Sequence, residues 1–147
     1  LVIFNNSHRV EFKGLCGYQA MIEAVPAEGL PGALPDGGTY AAGLKISLFR
    51  DGNPVDVLPA GTSIVVDFQL EADQRDDPFS ALFWNPEANS GAGDWSALPG
   101  LADAPGTTAL DPNANDGRTL YNGTWTTADG YVSFESNFTG TFVLVTP

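Results

Sequence analysis

The chain of 147 residues has one cysteine, one histidine and only six lysine and arginine residues, and each scarcity closes a class of chemistry. Cys16 has no partner for an intrachain disulfide, and Gly14, Leu15, Gly17 and Tyr18 around it offer no second ligand at metal spacing. With His8 alone, a His-Glu-x-x-His zinc helix is impossible. No Gly-x-Ser-x-Gly elbow accompanies His8, so a nucleophile triad has no footing and His8 reads as a surface residue. Neither Gly-x-Gly-x-x-Gly after a strand nor Gly-x-x-x-x-Gly-Lys occurs, which disfavours dinucleotide and phosphate-loop binding. Eighteen acidic residues against six basic ones give a net charge of −12. A phosphate backbone would be repelled, and no nucleic-acid partner is expected. No apolar run approaches the roughly 20 residues of a membrane helix, so no transmembrane segment is expected.

What is present points to a single β-rich domain, 1–147. Hydrophobic residues make up 43% of the chain, enough for a core, while charged residues reach only 16%, against about 25% in average globular domains. Seventeen glycines and eleven prolines cut the chain into short pieces and disfavour long helices. Few charges, two lysines (Lys13 and Lys45) and much Thr, Asn and Gly read as an extracellular composition. The first residue is not Met, which reads as a processed or excised product. Asn-x-Ser/Thr sequons at Asn5, Asn122 and Asn137 are candidate glycosylation sites, though ordinary β-rich composition also produces them.

Period-two alternation dominates. Ile64, Val66, Phe68 and Leu70 fall on one face with Val65, Asp67, Gln69 and Glu71 on the other, after the turn Pro59-Ala60-Gly61. Leu44, Ile46 and Leu48 alternate with Lys45, Ser47 and Phe49, and Asp51-Gly52 then predicts a tight turn into 55–57. Apolar runs at 79–84 and 95–98 are stopped by Asn85-Pro86 and Pro99-Gly100; 120–126, 131–135 and 138–145 read as three closing strands. About eight short strands at this spacing suggest an all-β, antiparallel β-sandwich, immunoglobulin-like or jelly-roll-like. Residues 1–35 form a candidate N-terminal arm set against a sandwich body over 38–146. The stretch 18–24 is the one helix-compatible segment, and 26–38 and 100–117 read as long loops.

Three constellations carry candidate chemistry. Asp111, Asn113, Asn115 and Asp116 put oxygen side chains at near-alternate positions before Gly117, like the start of a calcium loop, but no Glu follows at the bidentate position. An Asx-rich turn needing no metal is the competing reading. The acids Glu71, Asp73, Asp76 and Asp77 offer a second cation candidate against a solvated strand end. Trp84, Trp95 and Trp125 with Tyr121 are candidates for a sugar-stacking platform. The flanking of a Gly-rich turn by Trp84 and Trp95 argues instead for aromatics buried at one end of a core. Eighteen acids make many pairs that a glycosidase could use, yet no pair is marked by an aromatic wall. Lys13 and Lys45 fall on the polar parity of their strands, which disfavours an intramolecular isopeptide bond.

The opening Leu1, Val2, Ile3 and Phe4 is apolar, β-prone and uncharged, and it needs cover. It either completes its own sheet or enters a neighbouring copy by donor-strand addition, with Asn5-Asn6-Ser7 and 26–38 as hinges.

From 58 to 145 the order Pro59-Ala60-Gly61, strand, Trp84-Asn85, Asp94-Trp95-Ser96-Ala97-Leu98, long loop, Gly130-Tyr131-Val132-Ser133-Phe134 and the final Phe138-Thr139-Gly140-Thr141-Phe142-Val143-Leu144-Val145 resembles the non-catalytic β-sandwich modules that end many exported bacterial cell-surface proteins. Asn137-Phe138 stands where those modules carry His-Phe. The resemblance implies a structural or adhesive role with no catalytic residue to carry over. The expectation is therefore a non-enzymatic extracellular structural protein, a self-assembling cell-surface or filament subunit or a module among neighbouring surface-protein domains. No cofactor is expected beyond the calcium candidate. The alternative is a carbohydrate-binding or adhesion module using its tryptophans, and a hydrolase stands third.

Overall fold

A computed structural model describes residues 2–5, 8–35, 38–70, 78–111, 116–127 and 129–146, with backbone alone for 4 and 5. Among the described residues twelve strands run in chain order: β1 Val2–Asn5, β2 His8–Lys13, β3 Gln19–Ala24, β4 Thr39–Arg50, β5 Asn53–Pro54, β6 Ser63–Gln69, β7 Ser80–Asn85, β8 Asp94–Leu98, β9 Thr108–Ala109, β10 Thr119–Thr126, β11 Tyr131–Ser136 and β12 Gly140–Thr146. They form two sheets packed face to face, an antiparallel β-sandwich. The first has the order β1-β2-β6-β11-β10-β9; the second has β3-β4-β12-β7-β8, with β5 on β4.

The alternation in the sequence sorts side chains as expected. Val10 and Phe12 of β2, Ile64, Val66 and Phe68 of β6, and Val132 and Phe134 of β11 point inward from the first sheet. Leu44, Ile46 and Leu48, Ala81 and Phe83, and Phe142 and Leu144 meet them from the second. The centre is aromatic: Phe142 lies 5.3 Å from Phe83, 4.9 Å from Phe134 and 5.9 Å from Phe138 between ring centroids, in the tilted and offset geometries that ring quadrupoles favour. Gly140, at φ +139°, lets β12 pass Phe83, because a Cβ there would lie 2.9 Å from the ring. Asp51 (φ +52°) and Gly52 (φ +81°) make the β4–β5 turn, with Arg50 paired to Asn53. Two consecutive positive φ values are what a type I′ hairpin demands.

Of the stretch 18–24, helix-compatible in sequence, Gln19–Ala24 form the edge strand β3 instead, paired to β4 from Gln19↔Phe49 to Ala24↔Leu44. Ala20 and Ile22 pack against the core, while Met21 is 49% exposed. Tertiary pairing outweighs local propensity here. The segment proposed as an arm supplies strands to both sheets: β2 sits between β1 and β6, and β3 flanks β4. Val10 at 0% and Phe12 at 5% exposure belong to the same core as the rest.

The second sheet has an apolar outer face as well. Leu82, Val143 and Val145 cluster there with Leu30, Leu34, Tyr40 and Trp95. Residues 26–35 lie across this face as a strap, opening with a 3₁₀ turn, Ala27–Gly29. Tyr40 Oη donates to Val25 O at 2.6 Å and Trp95 Nε1 to Gly32 O at 3.3 Å.

Candidate functional site

The aromatics read as one platform are divided between the two sheets. Trp84 and Trp95 face each other across β7 and β8 on the outer side of the second sheet, T-shaped at 5.2 Å. They are half-buried beneath the strap rather than set at an end of the inter-sheet core, because Phe83 between Leu82 and Trp84 takes the inward parity. A Cβ at Gly32 or Gly93 would lie 2.6 Å or 2.5 Å from Trp84 ring atoms, so glycine at both positions admits the indole. Trp125 and Tyr121 lie on β10 of the other sheet, also half-buried.

The calcium candidate is partly engaged elsewhere. Asp116 accepts from the Arg118 backbone N–H at 3.1 Å and from Arg118 Nη1 at 2.9 Å; the same Nη1 donates to Glu87 Oε2 at 2.9 Å. Arg118 is buried, with its guanidinium 5.6 Å over the Phe83 ring. Burial pushes the Asp116 carboxyl up, but hydrogen bonds and charge from Arg118 outweigh it and hold the pKa below the ordinary value. A guanidinium thus supplies the positive charge that a metal would otherwise bring to Asp116. Asp111 is exposed; Asn113 and Asn115 fall outside the described residues, as do Glu71, Asp73, Asp76 and Asp77. Among the described residues no three His, Cys, Asp or Glu side chains converge on a metal position.

Asn137 occupies a corner. Its Oδ1 accepts from the Thr119 N–H at 2.7 Å, its Nδ2 donates to Gly117 O at 2.9 Å, and it is 8% exposed. There the chain crosses from β11 to β12, fastened by Leu58 N to Asn137 O at 2.6 Å and Thr139 N to Asp56 O at 3.0 Å. Both amide atoms of the side chain are thus committed to the corner. Asn122 is half-buried and donates through Nδ2 to Glu135 Oε1 at 3.2 Å; the Asn5 side chain is outside the description. His8, expected at the surface, is half-buried: its Nδ1 accepts from the Gln69 N–H at 3.0 Å and its ring meets Phe68 edge-on at 5.4 Å. Cys16 is exposed and unbridged. Lys13 and Lys45 point outward, Lys13 Nζ lying 3.5 Å from Glu135 Oε2.

The opening strand forms a hairpin with β2. Val2↔Glu11, Ile3↔Val10, Phe4↔Arg9 and Asn5↔His8 are paired, and β1 is the edge of the first sheet. Ile3 packs against the core and Val2 is 44% exposed. Leu1 and the Phe4 side chain lie outside the description.

The outer face of this sheet carries a polar row that the sequence did not announce. Arg9, Asp67, Ser133 and Trp125 sit on four adjacent strands at one level, each directly opposite the next. Arg9 Nε donates to Asp67 Oδ2 at 2.7 Å, Ser133 Oγ donates to Asp67 Oδ1, and the Arg9 guanidinium lies 4.9 Å over the Tyr131 ring. The only sequence signal is Asp67 at the polar parity of an otherwise apolar strand; its partners are remote in the chain and become neighbours through strand register. In the next row Glu135 accepts from Ser63 Oγ at 2.7 Å and from Asn122. Among the described residues no helix is long and apolar enough to cross a membrane. No family model, no curated protein and no solved structure matches the chain.

Proposed function

We propose that this chain is a non-enzymatic extracellular structural protein, a self-assembling cell-surface or filament subunit that exchanges β1 between copies. The observation that carries the reading is the position of β1: a four-residue strand at a sheet edge, hydrogen-bonded only to β2 among the described strands. Exchange of β1 between copies reproduces every pair from Val2↔Glu11 to Asn5↔His8 in the neighbour, with Ile3 in the same core seat. No contact is lost, so the balance rests on the connection. Two residues, Asn6 and Ser7, separate the paired Asn5 and His8. Two-residue hairpin connections favour Asn-Gly, because both central positions take positive φ, and serine at the second position is a costly substitute. Short, poorly suited hinges of this kind favour swapping. A head-to-tail exchange that does not close gives a filament. The composition, with few charges and two lysines, fits an extracellular setting.

Deleting residues 1–6 tests the reading by electron microscopy and sedimentation of concentrated protein. The full chain should form filaments or discrete multimers; the truncated chain should keep its β circular dichroism and sediment as a monomer. A full chain that stays monomeric, or a truncated chain that assembles equally well, would overturn it.

A further inference from the structure

The row Arg9, Asp67, Ser133 and Trp125 is built at a cost that its place on a solvent-side sheet face does not require. Val10, Val66, Val132 and Phe134 point into the core, so their neighbours Arg9, Asp67 and Ser133 face outward, and Trp125 shares that face as the direct partner of Ser133. Yet Asp67 is 5% and Ser133 0% exposed. Their bonds hold the Arg9 guanidinium by one nitrogen, Nε, over Tyr131, while the side chain remains 39% exposed. Five N–H donors sit on a guanidinium, and Nη1 and Nη2 have no partner among the described residues. Among the described residues the fork is fixed in position with its outer donors unspent. Three strand spacings of about 4.8 Å place the half-buried Trp125 roughly 14 Å from it along the row.

We propose that this face is a binding site for a neutral polysaccharide chain. An indole offers its ring to the C–H face of a sugar, and a fixed guanidinium fork donates to hydroxyl oxygens. Charge selects the ligand class. On this face Arg9 is paired with Asp67 and Lys13 with Glu135, so the positive charges are internally balanced, while the chain as a whole carries −12. A polyanion is repelled at long range and finds no surplus cation here. An uncharged, hydroxyl-rich chain meets donors from Arg9 and acceptors from the half-exposed Glu11, which lies on the same face two residues along β2. The platform stands on four hydrogen-bonded strands, so little ordering is left for binding to pay. Tyr131 and Asp67 act as positioning residues for Arg9. The proposal is independent of strand exchange, since an exchanged β1 keeps the same Phe4↔Arg9 pairing beside the site.

Depletion of the full-length protein from solution by insoluble cellulose, chitin and a mixed-linkage β-glucan, with pectate as the anionic comparison, tests the site. Wild-type protein should be retained by at least one neutral polymer and not by pectate. Trp125→Ala should weaken retention at least about tenfold. Arg9→Lys keeps the charge beside Asp67 but loses the fork, and should weaken it several-fold with thermal unfolding close to wild type. Retention by none of the neutral polymers, retention by pectate alone, or equal retention of wild type and both folded variants would overturn the assignment. Failure here leaves sedimentation unchanged, whereas failure of strand exchange leaves retention unchanged, so the two readings fall separately.

Discussion

At the scale of one residue, Asn137 carries a structural role that its motif does not show. In sequence it heads a sequon; in the fold it bonds the Thr119 N–H and the Gly117 carbonyl at a crossing between sheets. Asn137→Ala leaves a donor and an acceptor unsatisfied near the interior. At about 1–3 kcal/mol for an orphaned buried group, the variant should lose about 2–3 kcal/mol in urea unfolding, far more than Asn→Ala on a surface loop. His8 supplies a second residue-scale prediction. Burial lowers its pKa from the ordinary 6.5, and its unprotonated Nδ1 accepts the Gln69 N–H. The unfolded chain therefore binds the proton more readily, and stability falls with pH from about 6.5 down to the depressed folded value, then levels off for this group. Urea midpoints should drop between pH 7 and 5, and His8→Gln should flatten that slope; an identical slope in the variant would show that other groups carry it.

Elements were legible in sequence wherever one face is buried and the other wet. The alternation 64–70 became β6 and the Asp51-Gly52 turn became a I′ hairpin, because period and turn chemistry are local properties. What stayed hidden is what strand register assembles: Arg9 beside Asp67, 58 residues apart, and Arg118 beside Glu87, 31 apart. The segment 18–24 was ambiguous because Ala, Met and Glu favour helix, and only pairing with β4 decides it. The strap at 26–35 was illegible for a related reason: three prolines give no period, and its placement comes from the indoles that Gly32 meets beneath it. Gly32→Ala places a methyl within 2.6 Å of the Trp84 ring positions, so the strap must lift or the indole turn. Such overpacking typically costs about 1–3 kcal/mol. The variant should show red-shifted tryptophan emission and faster proteolysis within 26–38, with core strands still protected from hydrogen exchange.

For the whole molecule, the sandwich gives its two outer faces different treatments. Among the described residues one is apolar and strapped by the chain itself; the other carries the polar row of Arg9, Asp67 and Ser133 and ends at the edge strand β1, the strand proposed to exchange. Assembly through β1 is tested most directly by asking which chain's β1 lies beside β2. Val2 and Glu11 are directly opposite, with Cβ atoms at the roughly 4.5–5.5 Å of cross-strand pairs, near enough to the disulfide range of about 3.5–4.5 Å for oxidation to join them. In a Cys16→Ser background, Val2→Cys with Glu11→Cys oxidised at high protein concentration should give a ladder of disulfide-linked multimers on non-reducing gels, collapsing to monomer on reduction. A single oxidised monomer band, with the cross-link confined within each chain at every concentration, would contradict strand exchange.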